Sequence, residues 1–138
     1  MASWKFLDYI DVTGQNLIAE WYRQQDAKVR AQFDATLLLL CGTEDWAAPH
    51  VDEFKVLTGV HRGLGEIRFH VVVQTRGAKT QRRRFRPVGP WPPNGYDFVI
   101  LLGCEKWGNV YWPPDAFGRA LKLAQQLKDG KGDTRERV

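Results

Sequence analysis

Residues 63–86 constrain this chain more than any other stretch, because GLGEIRFHVVVQTRGAKTQRRRFR gathers its apolar side chains only as a two-stranded antiparallel hairpin. From Glu66 onward the side chains alternate in the period of a strand. Ile67, Phe69, Val71 and Val73 fall on one side, and Glu66, Arg68, His70, Val72 and Gln74 on the other. Residues 76–79 are the expected turn. On the return strand Phe85 and Pro87 share the apolar face, while Arg84 and Arg86 share the charged one. One face of such a hairpin is core, and the other gathers arginines beside a carboxylate and an imidazole, a candidate site for an anion. The competing reading is a solvated tip, or an edge strand guarded by charge against pairing with other chains.

The rest of the chain supplies cover for that hairpin. Residues 4–10 are aromatic and β-prone, and Thr13, Gly14 and Asn16 follow as turn and capping residues. Two helices are expected next, over residues 17–25 and 27–41, from the helical spacing of Leu17, Ile18, Trp21 and Tyr22 and then of Val29, Phe33, Leu37 and Leu40. Asp26 is placed to cap the second helix, Gly42 to end it, and Trp46 to pack from the following loop. After the hairpin, GPWPPNG over residues 89–95 reads as a loop, since its prolines remove ladder donors. Residues 96–103 are apolar on both faces and read as a buried central strand. Pro113 and Pro114 start a last helix, with Asp115 in its first turn and a stripe through Phe117, Leu121, Ala124 and Leu127 or Leu123. The expected fold is therefore α+β: an antiparallel sheet of about four strands, with the N-terminal helix hairpin on one face and a C-terminal helix. Residues 1–128 form one domain, and the charged, glycine-containing residues 129–138 read as a frayed, flexible tail.

Composition narrows the function. With 138 residues, 43% of them hydrophobic, the chain has material for one real core. The net charge of +4 is modest but unevenly spread: Lys79, Arg82, Arg83, Arg84 and Arg86 lie within eight positions that contain no acid. A local stripe of that kind attracts phosphates by counterion release, so Lys79, Arg82, Arg83 and Arg84 are candidate nucleic-acid-binding residues. Cys41 and Cys104 are flanked by leucines and read as small core residues suited to a reducing compartment. The N-terminus lacks the layout of a signal peptide, and no apolar run approaches membrane length, so a cytoplasmic protein without membrane contact is expected. His50, His61 and His70 have no metal-ligand spacing with the cysteines, and the glycines of residues 57–65 precede a strand without the lysine and hydroxyl residue of a phosphate loop. No metal and no nucleotide cofactor are expected.

The run LTGVHRGLGEIRF, the RRFR return strand, the FVILLGCEK strand and the proline-initiated helix together resemble the RelE/HigB-type toxins of bacterial and phage toxin-antitoxin systems. The likeness spans residues 4–127 in element order, and residues 57–106 carry the motifs. It implies a RelE-like fold and a small toxin, commonly a ribosome-dependent endoribonuclease that cleaves mRNA, held inactive by a cognate antitoxin that wraps it. By position, Arg68 matches the basic residue of the family's second strand, Arg86 the arginine after the aromatic in the third, and Lys106 the basic residue ending the fourth. Tyr111 lies near a C-terminal catalytic tyrosine of some members. Glu105 stands where many relatives carry a second lysine, and the GPWPPNG loop is longer than the usual third turn.

The chemistry also follows from the residues themselves. Cleaving RNA with its own 2′-hydroxyl requires removal of that proton, in-line geometry, and cations around a phosphate whose charge grows in the transition state. Glu66 and His70 are of the types that act as base and acid, and Arg68, Arg84 and Arg86 of the type that clamps the phosphate. An ordinary cross-strand ion pair accounts for Glu66 equally well. Trp107 and Trp112 are either base-stacking residues or core residues beside the prolines. The readings to separate are an mRNA endoribonuclease, a ParE-like inhibitor of DNA gyrase without nuclease activity, and a binding module that has kept the fold and lost the chemistry.

Overall fold

The structure, a computed structural model, describes residues 3–74, 77 and 79–137. Strand β1 (Lys5–Ile10) leads to helices α1 (Leu17–Gln24) and α2 (Ala27–Cys41). Both helices start on a side-chain cap: Asn16 accepts from the Ala19 amide at 3.0 Å and Asp26 from the Val29 amide at 2.9 Å, as their sequence positions require. After β2 (Phe54–Val56) and a 3-10 turn at Gly59–His61 come β3 (Leu64–Ile67), β4 (Phe69–Gln74), β5 (Thr80–Phe85) and β6 (Val88–Pro90). The chain ends with β7 (Asp97–Ile100), β8 (Glu105–Trp107), β9 (Val110–Trp112), α3 (Ala116–Lys128) and β10 (Asp133–Glu136). The architecture is α+β. Among the described residues no helix is long and apolar enough to cross a membrane.

The hairpin keeps one register from end to end. Phe69 faces Phe85 and Glu66 faces Val88, so β3 with β4 and β5 with β6 are two long strands, each interrupted once. The interruption has a local cause. Ile67 donates to the Pro87 carbonyl at 2.8 Å, but Pro87 has no N–H to return, and the Arg68 amide turns instead to the Glu53 carbonyl at 2.7 Å. The expected turn falls in part on Arg76 and Ala78, outside the described residues; Gly77 has φ 83°. Contrary to expectation, the first part of the proline-rich segment pairs: Val88–Pro90 is β6, with Pro90 at its last position, where a missing donor is tolerated. Gly89 there lies so close to the Val99 carbonyl and the Phe98 ring that no side chain fits.

The sheet is not purely antiparallel. β7 pairs in parallel with β1, while β10 pairs antiparallel with the other edge of β1. Of the central strand expected over residues 96–103, β7 covers Asp97–Ile100 and is the edge of its own three-stranded sheet, and the residues after it reach β6 through a Val88–Leu102 bridge. β5 pairs with β8, and β8 with β9. The tail expected to be frayed is instead held as β10, where Arg137 pairs with the buried Asp8 at 3.0 Å and lies over the Tyr22 and Phe33 rings. Free charge in the sequence concealed a specific ion pair.

Helices cover both faces of the hairpin. On one, Ile67, Phe69, Val71 and Phe85 pack with Val29, Phe33, Leu37 and Leu40 of α2, and with the ring stack of Trp4 and Trp46 at 4.0 Å. On the other, α3 seats Phe117, Ala120 and Leu123 on Leu64, Val88, Leu102 and Cys104. The stripe of α3 is therefore rotated from the expected one, with Leu121, Ala124 and Leu127 only half-buried. Because α3 covers only one end of that second face, the charged face of the hairpin is buried at Glu66 and open at His70 and Arg84.

Candidate functional site

Cross-strand register assembles the site. His70 faces Arg84, Arg84 faces Lys106, and Lys106 faces Tyr111, so four side chains from β4, β5, β8 and β9 form one row across the sheet. Directly opposed residues point the same way, which puts the row on the charged face of the hairpin. His70 and Arg84 are exposed, and Lys106 and Tyr111 half-buried, with the Lys106 ammonium 5.7 Å from the Tyr111 ring centre.

Behind the row stands a buried ionic cluster. The Glu66 carboxylate is wholly buried. Its Oε1 takes the Arg68 Nε at 3.0 Å and lies 3.8 Å from the Arg86 Nε, and its Oε2 accepts from the Tyr111 hydroxyl at 3.2 Å. Arg86 is also buried; its Nη1 donates to the Phe85 carbonyl at 2.8 Å, and its Nε has no hydrogen-bond partner. Burial lowers the Arg86 pKa, against the opposing pull of Glu66. Burial first, and then the Glu66 charge and hydrogen bond, push Tyr111 up to about 12, so it stays a phenol at neutral pH. Cys104 donates to the Arg86 carbonyl at 3.1 Å and is pushed up to about 12 by the same burial, which leaves it an unreactive thiol.

Arg68, His70, Arg82, Arg84 and Arg86 line a cleft of about 450 Å³, together with Gln32 and Thr36 of α2 and with Asp52 and Glu53. No motif in the sequence marks those four polar residues; their loop and helix meet the hairpin only through tertiary packing. The larger cavity, about 840 Å³, lies between α3, β7 and the proline-rich loop, away from the row.

Two sequence-based expectations change. Glu66 was placed on an open face as a candidate base; α3 and Tyr111 close that end, and the carboxylate is committed to its two arginines and the phenol. Arg83 was grouped with the nucleic-acid-binding residues, but it faces Val71 on the opposite side and is held bidentately by Glu105 at 2.8 and 3.1 Å. That pair explains the acid at position 105: it neutralises Arg83 and leaves the row untouched. His61, which carries no assigned role, lies against Phe117, 4.7 Å between ring centres. Arg68, His70, Arg84, Arg86, Lys106 and Tyr111 do come together; Arg82 lines the cleft with Arg68, His70, Arg84 and Arg86, while Lys106 and Tyr111 lie outside it, and Lys79 is exposed near the hairpin turn. Among the described residues no group of three or more His, Cys, Asp and Glu side chains is arranged to hold a metal ion.

Comparison of the chain with protein-family models, with curated proteins and with solved structures found no match.

Proposed function

We propose that the protein is an mRNA endoribonuclease similar to the RelE/HigB toxins, with a RelE-like fold, acting in the cytoplasm and restrained there by a cognate antitoxin. The observation that carries this reading is the row His70, Arg84, Lys106 and Tyr111, braced from behind by Glu66, Arg68 and Arg86. A phosphate over the row meets cations on two neighbouring strands, Arg84 and Lys106. Imidazole is the side chain suited to exchanging a proton near neutral pH, so His70 takes the proton of the attacking 2′-hydroxyl. The 2′-oxygen then bonds to phosphorus, the bond to the 5′-oxygen breaks, and the Lys106 ammonium gives that oxygen a proton. Arg84 and Arg86 balance the charge that builds on the phosphorane. Glu66 acts by holding Arg68, Arg86 and Tyr111, a positioning residue rather than the base.

One observation favours a second reading. The only carboxylate in the cluster is fully engaged, as expected of a binding module that keeps the cations and has lost the chemistry. Product analysis separates the two. Incubating the protein with mRNA, with and without ribosomes, is expected to give fragments ending in a 2′,3′-cyclic phosphate and a 5′-hydroxyl. RNA that is bound but stays whole under both conditions contradicts the nuclease and leaves the module.

A further inference from the structure

The β8–β9 hairpin carries a second feature on its other face. Trp107 and Trp112 stack with ring centres 5.0 Å apart and planes 4° from parallel, and they are 49% and 51% exposed. They are diagonal neighbours across the ladder, since Trp107 faces Val110 and Trp112 faces Glu105. Val110, on the same side, is 64% exposed. Large apolar rings in that state are neither core nor staples for α3, so one of the two uses open to them in the sequence is removed. Each ring already fixes the other, and an incoming planar group meets a surface whose ordering cost is largely met.

Charge selects the occupant. Glu105, which shares the tryptophan face of the ladder, is neutralised by Arg83, so its charge does not repel a phosphate chain. Lys106 and Tyr111 sit on the same two strands, immediately before Trp107 and Trp112. The row from β4 to β9 crosses three inter-strand gaps, roughly 14 Å at the usual strand spacing, and β9 is the last strand of its sheet. A single strand laid along the row therefore leaves the sheet over the β9 edge, where the next aromatic surface is Trp112.

We propose that Trp107 and Trp112 form a stacking platform for a base of single-stranded RNA flanking the cleaved phosphate. This rests on the ribonuclease reading and adds to it how the substrate continues beyond the row. The platform reads no base identity, since every base has a π-face, and it selects unpaired RNA over duplex.

The test uses RNA oligonucleotides methylated at every 2′-oxygen, which bind without being cut, in a normal form and in a form lacking bases on the flank. Wild type is expected to bind the normal form about tenfold more tightly. Trp112→Ala should erase that difference and Trp112→Phe, which keeps a ring, should retain most of it. If wild type binds both forms equally, or Trp112→Ala keeps the preference, the platform is overturned while cleavage of unmodified mRNA still supports the nuclease. If wild type neither binds these oligonucleotides nor cleaves mRNA, both readings fall.

Discussion

Tyr111 concentrates the physics of the site in one hydroxyl. Its hydrogen bond to Glu66 joins β9 to β3, and burial beside that carboxylate moves its ionisation up to about 12. The neutral phenol is the form the folded state prefers. Its contribution to stability is therefore complete below the ordinary tyrosine value near 10, and is lost as the pH climbs from there towards 12. Subtracting the ultraviolet tyrosinate titration of Tyr111→Phe from that of wild type should isolate one tyrosine that ionises near 12. A difference centred near 10 would show that Tyr111 is not buried beside Glu66 in solution. Removing Glu66 itself acts more widely, since it leaves Arg68 and the buried Arg86 without their shared counter-charge.

The elements show what could be read from the sequence and what could not. Period-two alternation placed Glu66, Arg68, His70, Arg84 and Arg86 on one face of a hairpin, and the register confirms that sharing. The capped helices α1 and α2 were legible for the same reason, that caps and periodicity are local. Burial was not local. The positions of α3 and Tyr111 decide that Glu66 is closed off while His70 stays open, and no pattern within residues 63–86 carries that information. The run of arginines looks uniform in the sequence, whereas its alternate members face opposite sides and Glu105 claims one of them, Arg83. The proline-rich segment hid β6, whose Gly89 lets β6 and the β7 backbone meet closely. Since the Val99 carbonyl cannot rotate away as a side chain would, Gly89→Ala should destabilise the protein by about 3 kcal/mol, read from urea unfolding. A loss below about 0.5 kcal/mol, the range of a surface change, would mean that the two segments are not in contact.

At the scale of the molecule, two helical layers on opposite sides of one hairpin produce a face that is half core and half site. The layer of α2 fixes the strands through Phe33, Phe69 and Phe85, and that of α3 closes the far end over Glu66. The tail completes the scaffold by returning to β1, where Arg137 satisfies Asp8. What remains open is the row and its cleft, the face proposed to perform the chemistry. Single-turnover cleavage of mRNA at saturating protein tests this most directly, comparing wild type with Arg84→Ala on the row and Lys122→Ala on the exposed side of α3, each lacking one positive charge. Arg84→Ala should lower the rate by about 10², while Lys122→Ala should cleave at the wild-type rate. An Arg84→Ala protein that cleaves as fast as wild type once saturated would contradict the assignment of the row as the active site.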